Sequence, residues 1–449
     1  MSSRFLFTCW PFEGHVFPQM SVAAALRRRG EEVAFYTGDG MRAAVEREGF
    51  PVFPFRRVDR ASWLRVEAAE RRAGGRRQSL RVGYQAFREW LVETIPAQVA
   101  DLEEIVHTWK PSVLVADFSM WGPIVILREA VPIPVAAWST LMGTMIPGPD
   151  APPWGFGFGP PRTGSARVRA SLLTRVTDVV AVGLRRRVDQ LRAEHALPPL
   201  GCSVRAFAAR SHLYLVAGLP ELDYNRRDLP ASVHYVGACV WHPPAQPETA
   251  ASLDALPTDL PWVHVTEGTS HHQDPFVLRA AIRGLAGRPL HAILTSGRQR
   301  DPDELGLTPL PANVHLTRWV SHSELLPRCA VVVTTGGAAT IMAALQSGVP
   351  LVVVPTTWDK PDNARRVVEA GVGVRLAPRR CTPERLQAAV EHVLAEPRYR
   401  ANARRIADAL ANAPGPGGAA DLLQTLAAAA ARGDASVAKR RNSFVEEVA

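Results

Sequence analysis

At 449 residues the chain is long enough for two or three ordinary domains and a sizeable buried core. Hydrophobic residues make up 47% of it, yet no stretch reaches the roughly 18 uninterrupted apolar residues of a membrane span, which excludes an integral helical membrane protein and reads as soluble. The net charge of +9 rests on 52 Lys and Arg residues spread along the chain beside Glu and Ala, which argues against nucleic acid as a partner and suits steering of a small anionic ligand.

The opening MSSRFLFTCWPFEGH lacks the charged region, long apolar core and cleavage site of a secretory signal, so a cytoplasmic protein is expected. It runs directly into a strand, Phe5 to Trp10. Gly14 and His15 follow, ahead of a helical stretch from Pro18 to Arg29 closed by Gly30. His15 would sit at the N-terminus of that helix, where the dipole disfavours the imidazolium and keeps a neutral base available. A lone histidine in a loop is ordinarily a surface or capping group; its position between strand and helix sets this one apart. Strands at Val33–Thr37, Val113–Asp117 and Pro134–Trp138 alternate with helical patterns, as in a doubly wound parallel sheet. Asp117, at the end of the strand that begins at Val113, is the candidate to orient His15, the plain alternative being a cap on the next turn. The arginine cluster between Arg56 and Arg81, with Arg71, Arg72, Arg76 and Arg77 around Gly74 and Gly75, reads as a solvated helical face and loop. A Pro- and Gly-rich segment, Pro147 to Gly164, carries Trp154, Phe156 and Phe158 and is too long for an ordinary connection.

Trp241 to Pro261, rich in proline and small polar residues, marks a linker. Beyond it the alternation resumes, with strands at Trp262–Thr266, His291–Thr295, Val314–Thr317, Val331–Thr335 and Leu351–Val354. Gly336 and Gly337 break the fourth before a helix with Ile341, Met342 and Leu345 on one face. The free N–H groups and positive end of such a helix form an anion site, and the glycines let a diphosphate approach the main chain. Gly348 and Pro350 stop that helix, and the last strand ends in the polar loop Thr356, Thr357, Trp358, Asp359, Lys360. In an open parallel sheet both loops lie beyond the carboxyl ends of the strands, where ligands gather. Asp301, Pro302 and Asp303 spell D-x-D but lie in a loop beside Arg298 and Arg300, His271 and His272 are adjacent, and the five cysteines form no C-x-x-C pair, so no metal is expected and the thiols are expected to be reduced. The tail from Arg432 to Ala449 is expected to be disordered.

The stretch from Trp319 to Arg365 resembles the donor-binding signature of the GT-B fold family 1 glycosyltransferases, especially the bacterial natural-product branch. That signature reads roughly W-x-P-Q, H-G-G-x-G-S/T, G-V-P, D-Q-x-x-N-A. Trp319, Gly336, Gly337, Thr340, Gly348, Val349, Pro350, Asp359, Asn363 and Ala364 match it in order and spacing. The family's diphosphate-binding His falls on Thr335, whose hydroxyl can still donate to phosphate, and its Gln after the Asp falls on Lys360, either a replacement cation or a solvated surface lysine. Its Pro-Gln after the Trp falls on Ser321 and His322. The ribose-binding Glu of enzymes using uridine diphosphate sugars falls on Ala343, which resembles users of thymidine diphosphate sugars. Near the N-terminus, G-H-V-F-P is similar to the family's G-H-x-x-P.

The resemblance implies an α/β protein of GT-B fold: an acceptor-binding Rossmann-like domain at residues 1–240, a linker at 241–261 and a donor-binding Rossmann-like domain at 262–431, facing a central cleft. It implies an inverting, metal-independent transferase without cofactor, monomeric or homodimeric, moving a sugar, plausibly a deoxysugar, from a TDP- or UDP-sugar to a small natural-product aglycone. His15 would be the base, Asp117 its orienter, and Trp319 the stacking platform for the nucleobase, with the Val320 main chain as hydrogen-bond partner. Gly268, Thr269, Thr335 and the turn Gly336, Gly337, Ala338, Ala339, Thr340 would hold the diphosphate; Asp359 and Lys360 would face the sugar. Phe12, Phe118, Trp138 and Trp154 are the aromatic candidates for the acceptor. Two other readings remain open: a non-catalytic auxiliary partner of another transferase, motivated by Thr335 and Lys360, and a nucleotide-sugar epimerase of the same architecture.

Overall fold

The structure, a computed structural model, describes residues 2–73, 84–85, 87–241, 254, 256–268, 274–298 and 300–433. Thr269, His271, His272, the arginine cluster from Gly74 to Arg81, most of the expected linker and the tail beyond Gly433 lie outside the described residues.

Among the described residues, two parallel sheets organise the chain. The first has seven strands, β1 (Arg4–Thr8), β2 (Glu32–Thr37), β3 (Val52–Pro54), β4 (Val113–Asp117), β5 (Val135–Ser139), β6 (Leu213–Val216) and β7 (Val233–Tyr235), in the order β3-β2-β1-β4-β5-β6-β7. The second has six, β8 (Trp262–Thr266), β9 (His291–Thr295), β10 (Val314–Thr317), β11 (Cys329–Thr334), β12 (Leu351–Val353) and β13 (Gly373–Arg375), in the order β10-β9-β8-β11-β12-β13. Every anticipated strand is present, some shifted at an end. β3, β6, β7 and β13 are additional; β3, β7 and β13 are three-residue sheet edges, too short to show periodicity.

Helices cover both faces, so the strands are near-continuous apolar runs rather than alternating ones. In β1, Phe5 and Phe7 enter one core with Val33, Phe35, Val113 and Val115, while Leu6 enters the other with Ala34, Tyr36 and Leu114, following the two-residue alternation of a strand. Burying each of these Phe, Leu and Val side chains stabilises the fold by about 1.5–3 kcal/mol.

The first helix runs from Glu13 to Arg28, so the expected start at Pro18 is corrected: that proline is tolerated inside the helix, and His15 lies within the first turn. The last helix, Gly415–Ala431, crosses back. Its Ala419, Ala420, Leu423 and Ala427 are buried in the first sheet's core with Val16, Met20 and Ala23, and Arg29 Nη1 meets Asp421 at 2.6 Å. The expected donor unit 262–431 therefore gives its final helix to the other half, because that helix's small apolar face fits the Glu13–Arg28 helix. Among the described residues no helix is long and apolar enough to cross a membrane.

In each sheet the order in which strands are added reverses near the centre, β1 lying beside β4 and β8 beside β11, with Thr8 in register with Ala116 and Thr266 with Thr334. These switch points place the loops after β1 and β4 opposite those after β8 and β11. Gly336 enforces the second turn: its φ is +97°, and an added Cβ would sit 3.1 Å from Val353 Cγ1 and 3.2 Å from the Lys360 backbone oxygen.

Candidate active site

Between the sheets opens a cleft of about 1230 Å3, lined from the first half by Phe12, Glu13, His15, Phe118 and Trp154 and from the second by Gly268, Trp319, Val320, Thr335, Gly337 to Thr340, Asp359 and Lys360. Asp117 and Gly336 stand behind this wall.

His15 Nδ1 lies 2.9 Å from Asp117 Oδ2, joining the first helix turn to the end of β4. An ionised carboxylate only accepts, so Nδ1 carries the shared proton and Nε2 is the free base. Asp117, fully buried, is itself fixed: Oδ1 accepts from the Ser119 N–H at 2.9 Å and from its hydroxyl, and Oδ2 from Gln19 Nε2 at 3.4 Å. Phe118 lies parallel to the imidazole at 5.9 Å and Phe12 stands 5.6 Å away. Burial pulls the imidazole's pKa down, but the Asp117 carboxylate and, across the cleft, Asp359 outweigh it, so the pKa is raised above 6.5. This reverses the effect expected from the helix dipole, which is weaker than a carboxylate in direct contact.

On the opposite wall the helix Ala338–Gln346 starts at Gly337 without a side-chain cap, leaving its first N–H groups directed at the cleft. The hydroxyl of Thr335, the expected phosphate donor, donates to the Glu267 carbonyl at 2.9 Å. Glu267 is itself occupied, by Arg300 Nη2 at 2.7 Å and the Val277 N–H at 3.0 Å. Lys360 is no surface lysine; it is 7% exposed, with Nζ 3.1 Å from Thr356 Oγ1. Asp359 accepts from Asn363 Nδ2 at 2.7 Å, and the same amide reaches the Gly336 carbonyl at 3.0 Å, locking the acidic loop to the glycine turn. Burial raises the Asp359 pKa against the opposing pull of Asn363 and Lys360. Ala343 is packed in the core of the second half, away from the cleft wall.

Trp319 is half-buried, and the Arg298 guanidinium lies 3.9 Å from its ring centroid. Arg298 went unrecognised in the sequence because its loop reads as a polar surround for the D-x-D; in the structure Asp301 pairs with Arg318 instead, and Arg298 faces Glu13 electrostatically. Trp358 was also missed as a packing residue. Its backbone is left-handed, φ +62°, and its ring packs 4.8 Å from Phe87 and 5.7 Å from Trp90, tying the acidic loop to the other half.

Of the acceptor candidates, Phe12, Phe118 and Trp154 line the cleft, in company with Trp63, Phe87, Trp90 and Trp121. Trp138 does not. It lies within β5, fully buried among Phe7, Val115 and Leu215, on the sheet face that packs against the Glu13–Arg28 and Gly415–Ala431 helices. All five cysteines are free, and no group of three or more potential metal ligands occurs among the described residues.

Residues 292–426 match the family described as Erythromycin biosynthesis protein CIII-like, C-terminal domain. The chain is 34% identical over 430 residues to 4'-demethylrebeccamycin synthase of Lentzea aerocolonigenes, covering 95% of this chain and all of that one. Its fold is shared with the glycosyltransferase of kitacinnamycin, at a TM-score of 0.72 and 22% identity over 95% of this chain and 99% of the other. It is shared also with the spinosyn rhamnosyltransferase SpnG complexed with thymidine diphosphate, at 0.67 and 21% over 94% and 99%. The chain belongs to the GT-B glycosyltransferases of the antibiotic-biosynthesis type. It is an enzyme that transfers a sugar to an aglycone.

Proposed function

We propose that the protein is an inverting, metal-independent transferase that moves a sugar from a thymidine or uridine diphosphate donor to a small aromatic aglycone. The observation that carries this reading is the His15–Asp117 contact at 2.9 Å on the cleft wall, facing the uncapped helix at Gly337. His15 Nε2 takes the proton of the acceptor O–H or N–H, and the acceptor atom attacks the anomeric carbon from the face opposite the diphosphate. The bond from that carbon to the diphosphate oxygen breaks as the new one forms, inverting the centre. Asp117 stabilises the imidazolium, and the N–H groups of Ala338 and Ala339 with the Lys360 ammonium take the charge of the leaving diphosphate. Asp359, steadied by Asn363, is the acceptor for sugar hydroxyls.

A non-catalytic binder would have no use for an assembled His15–Asp117 pair, nor an epimerase for the aromatic acceptor cavity. The test is mass spectrometry of products from TDP- and UDP-sugars with a panel of aromatic aglycones, and NMR of the anomeric configuration. Donor turnover that ignores the aglycone, or a retained configuration, overturns the proposal.

Trp319, with Arg298 on one face, is the platform for the base, and the Val320 main chain lies beside it. Trp319→Ala is expected to weaken binding of the free nucleoside diphosphate by about 1–3 kcal/mol, the scale for losing base stacking on an aromatic ring. Calorimetric titration checks this, and an unchanged Kd would make the ring a packing residue.

Thymidine diphosphate is the expected donor nucleotide. Ala343, packed in the core behind the cleft wall, carries no carboxylate that could turn to a ribose 2′-hydroxyl, Glu267 is held by Arg300 and Val277, and SpnG is known complexed with thymidine diphosphate. In competitive titration thymidine diphosphate should bind at least as tightly as uridine diphosphate. A clear preference for the uridine nucleotide would place a ribose-binding group elsewhere in the cleft.

A further inference from the structure

The long aromatic segment of the first half is held near its start by its own half, the Asp150 N–H donating to Asp228 Oδ2 at 3.3 Å, and further along by the donor-side helix of the second half. That helix, Lys360–Glu369, follows directly on Asp359, the acid on the cleft wall. One residue past Pro361, the buried Asp362 turns both carboxylate oxygens to the main chain of the segment: Oδ2 accepts the Gly155 N–H at 2.6 Å and Oδ1 the Gly157 N–H at 2.7 Å. Trp154, immediately before the first of these donors, lines the acceptor side of the cleft. The approach is close enough to require glycine: at Gly157, φ is +66° and an added Cβ would fall 2.8 Å from the Pro361 carbonyl oxygen. Arg375 Nη1 reaches the Gly157 carbonyl at 3.4 Å, adding a second tie from the same half.

We infer that Asp362 is a positioning residue that couples the two substrates, by fixing Trp154 in the acceptor cavity to the first turn of the helix that carries Asp359 and Lys360. The inference rests on the donor and acceptor sides proposed above. Two charge-assisted hydrogen bonds from one buried carboxylate to N–H groups on either side of Phe156 hold the Gly155–Gly157 stretch to that turn. A donor that settles against Asp359 and Lys360 therefore sets the position of Trp154, and by reciprocity an acceptor seated on Trp154 improves the donor site by the same factor.

The test compares wild type with Asp362→Ala and the isosteric Asp362→Asn, which keeps one accepting oxygen and serves if the alanine variant folds poorly. Hydrogen exchange of the segment around Gly155 and Gly157 is followed with and without saturating thymidine diphosphate. The KM for donor and acceptor are then measured with the most active aglycone of the product screen. In the wild type the nucleotide should slow exchange of this segment by roughly 5- to 150-fold, the range of ordinary coupling between sites. In the variants exchange should be fast and indifferent to nucleotide, with acceptor KM raised severalfold and nucleotide affinity within about threefold of wild type, ordered Ala beyond Asn. General damage to the fold would instead weaken nucleotide and acceptor together and lower the melting temperature in step. Wild-type exchange unmoved by bound nucleotide, or variants whose acceptor KM is unchanged, would overturn the coupling while leaving the transferase reading intact. Failure of thymidine diphosphate to bind the wild type would overturn the donor assignment and the coupling together.

Discussion

Replacing His15 by alanine is expected to slow sugar transfer by roughly 100- to 10,000-fold, the span a positioned general base contributes, with nucleoside diphosphate affinity preserved. The imidazole is held by Asp117 on the first half of the molecule, whereas the nucleotide platform at Trp319 belongs to the second, so the two measurements separate cleanly. The reactive form is the neutral ring. Burial lowers its pKa, and Asp117 and Asp359 together raise it above 6.5. The rate must therefore fall on the acid side and climb as pH rises through that elevated pKa. Asp117→Asn removes the principal carboxylate, so it should lower the rate and move the acid limb towards lower pH. A near-normal rate for His15→Ala, with an acceptor of ordinary acidity, would take His15 out of the chemistry.

The second large effect is on stability. Asp223→Ala is expected to destabilise the protein by about 3–5 kcal/mol, the cost of stranding one partner of a buried ion pair. Asp223 lies after β6 in the first half and is almost fully buried. It accepts from Arg366 Nη2 at 2.9 Å, the Thr144 N–H at 2.7 Å, the Thr144 hydroxyl at 3.0 Å and the Tyr235 hydroxyl at 2.7 Å. Arg366 comes from the Lys360–Glu369 helix and is 6% exposed, with its Nε already lacking a partner. Removing the carboxylate would leave a guanidinium buried between the halves. Denaturant unfolding checks the figure, and a loss below about 1 kcal/mol, typical of a solvated pair, would mean that water replaces the carboxylate.

The long buried strands were legible because each is an apolar run bounded by Gly, Pro or polar residues, and the doubly wound parallel sheets followed from their alternation with helices, whereas the strand order that makes the two switch points did not. The glycine turn and the His15–Asp117 pair were legible for the same reason, since both sit where strand ends meet and need only local order to be placed. What was not legible depends on contacts between distant parts of the chain. The Glu267 carbonyl that accepts the Thr335 hydroxyl's hydrogen bond is brought near by the pairing of β8 with β11. Trp138 is an aromatic of the type that lines binding sites, but β5 is buried along its whole length, which sequence alone does not reveal. Arg298 and Trp358 sit in loops whose sequence gives no sign of which ring they will meet.

The return of the Gly415–Ala431 helix to the first half has a practical corollary. Cutting the chain into its two sheets along the sequence would strip Val16, Met20 and Ala23 of their cover and expose Ala419, Leu423 and Ala427 on the other fragment. A first-half fragment ending near Trp241 should thus aggregate or remain partly unfolded on its own, and a synthetic peptide spanning Gly415–Ala431 should rescue it in trans. The boundaries of an autonomous piece are set by which faces cover one another, and here the terminal seventeen-residue helix must travel with the segment that begins the chain.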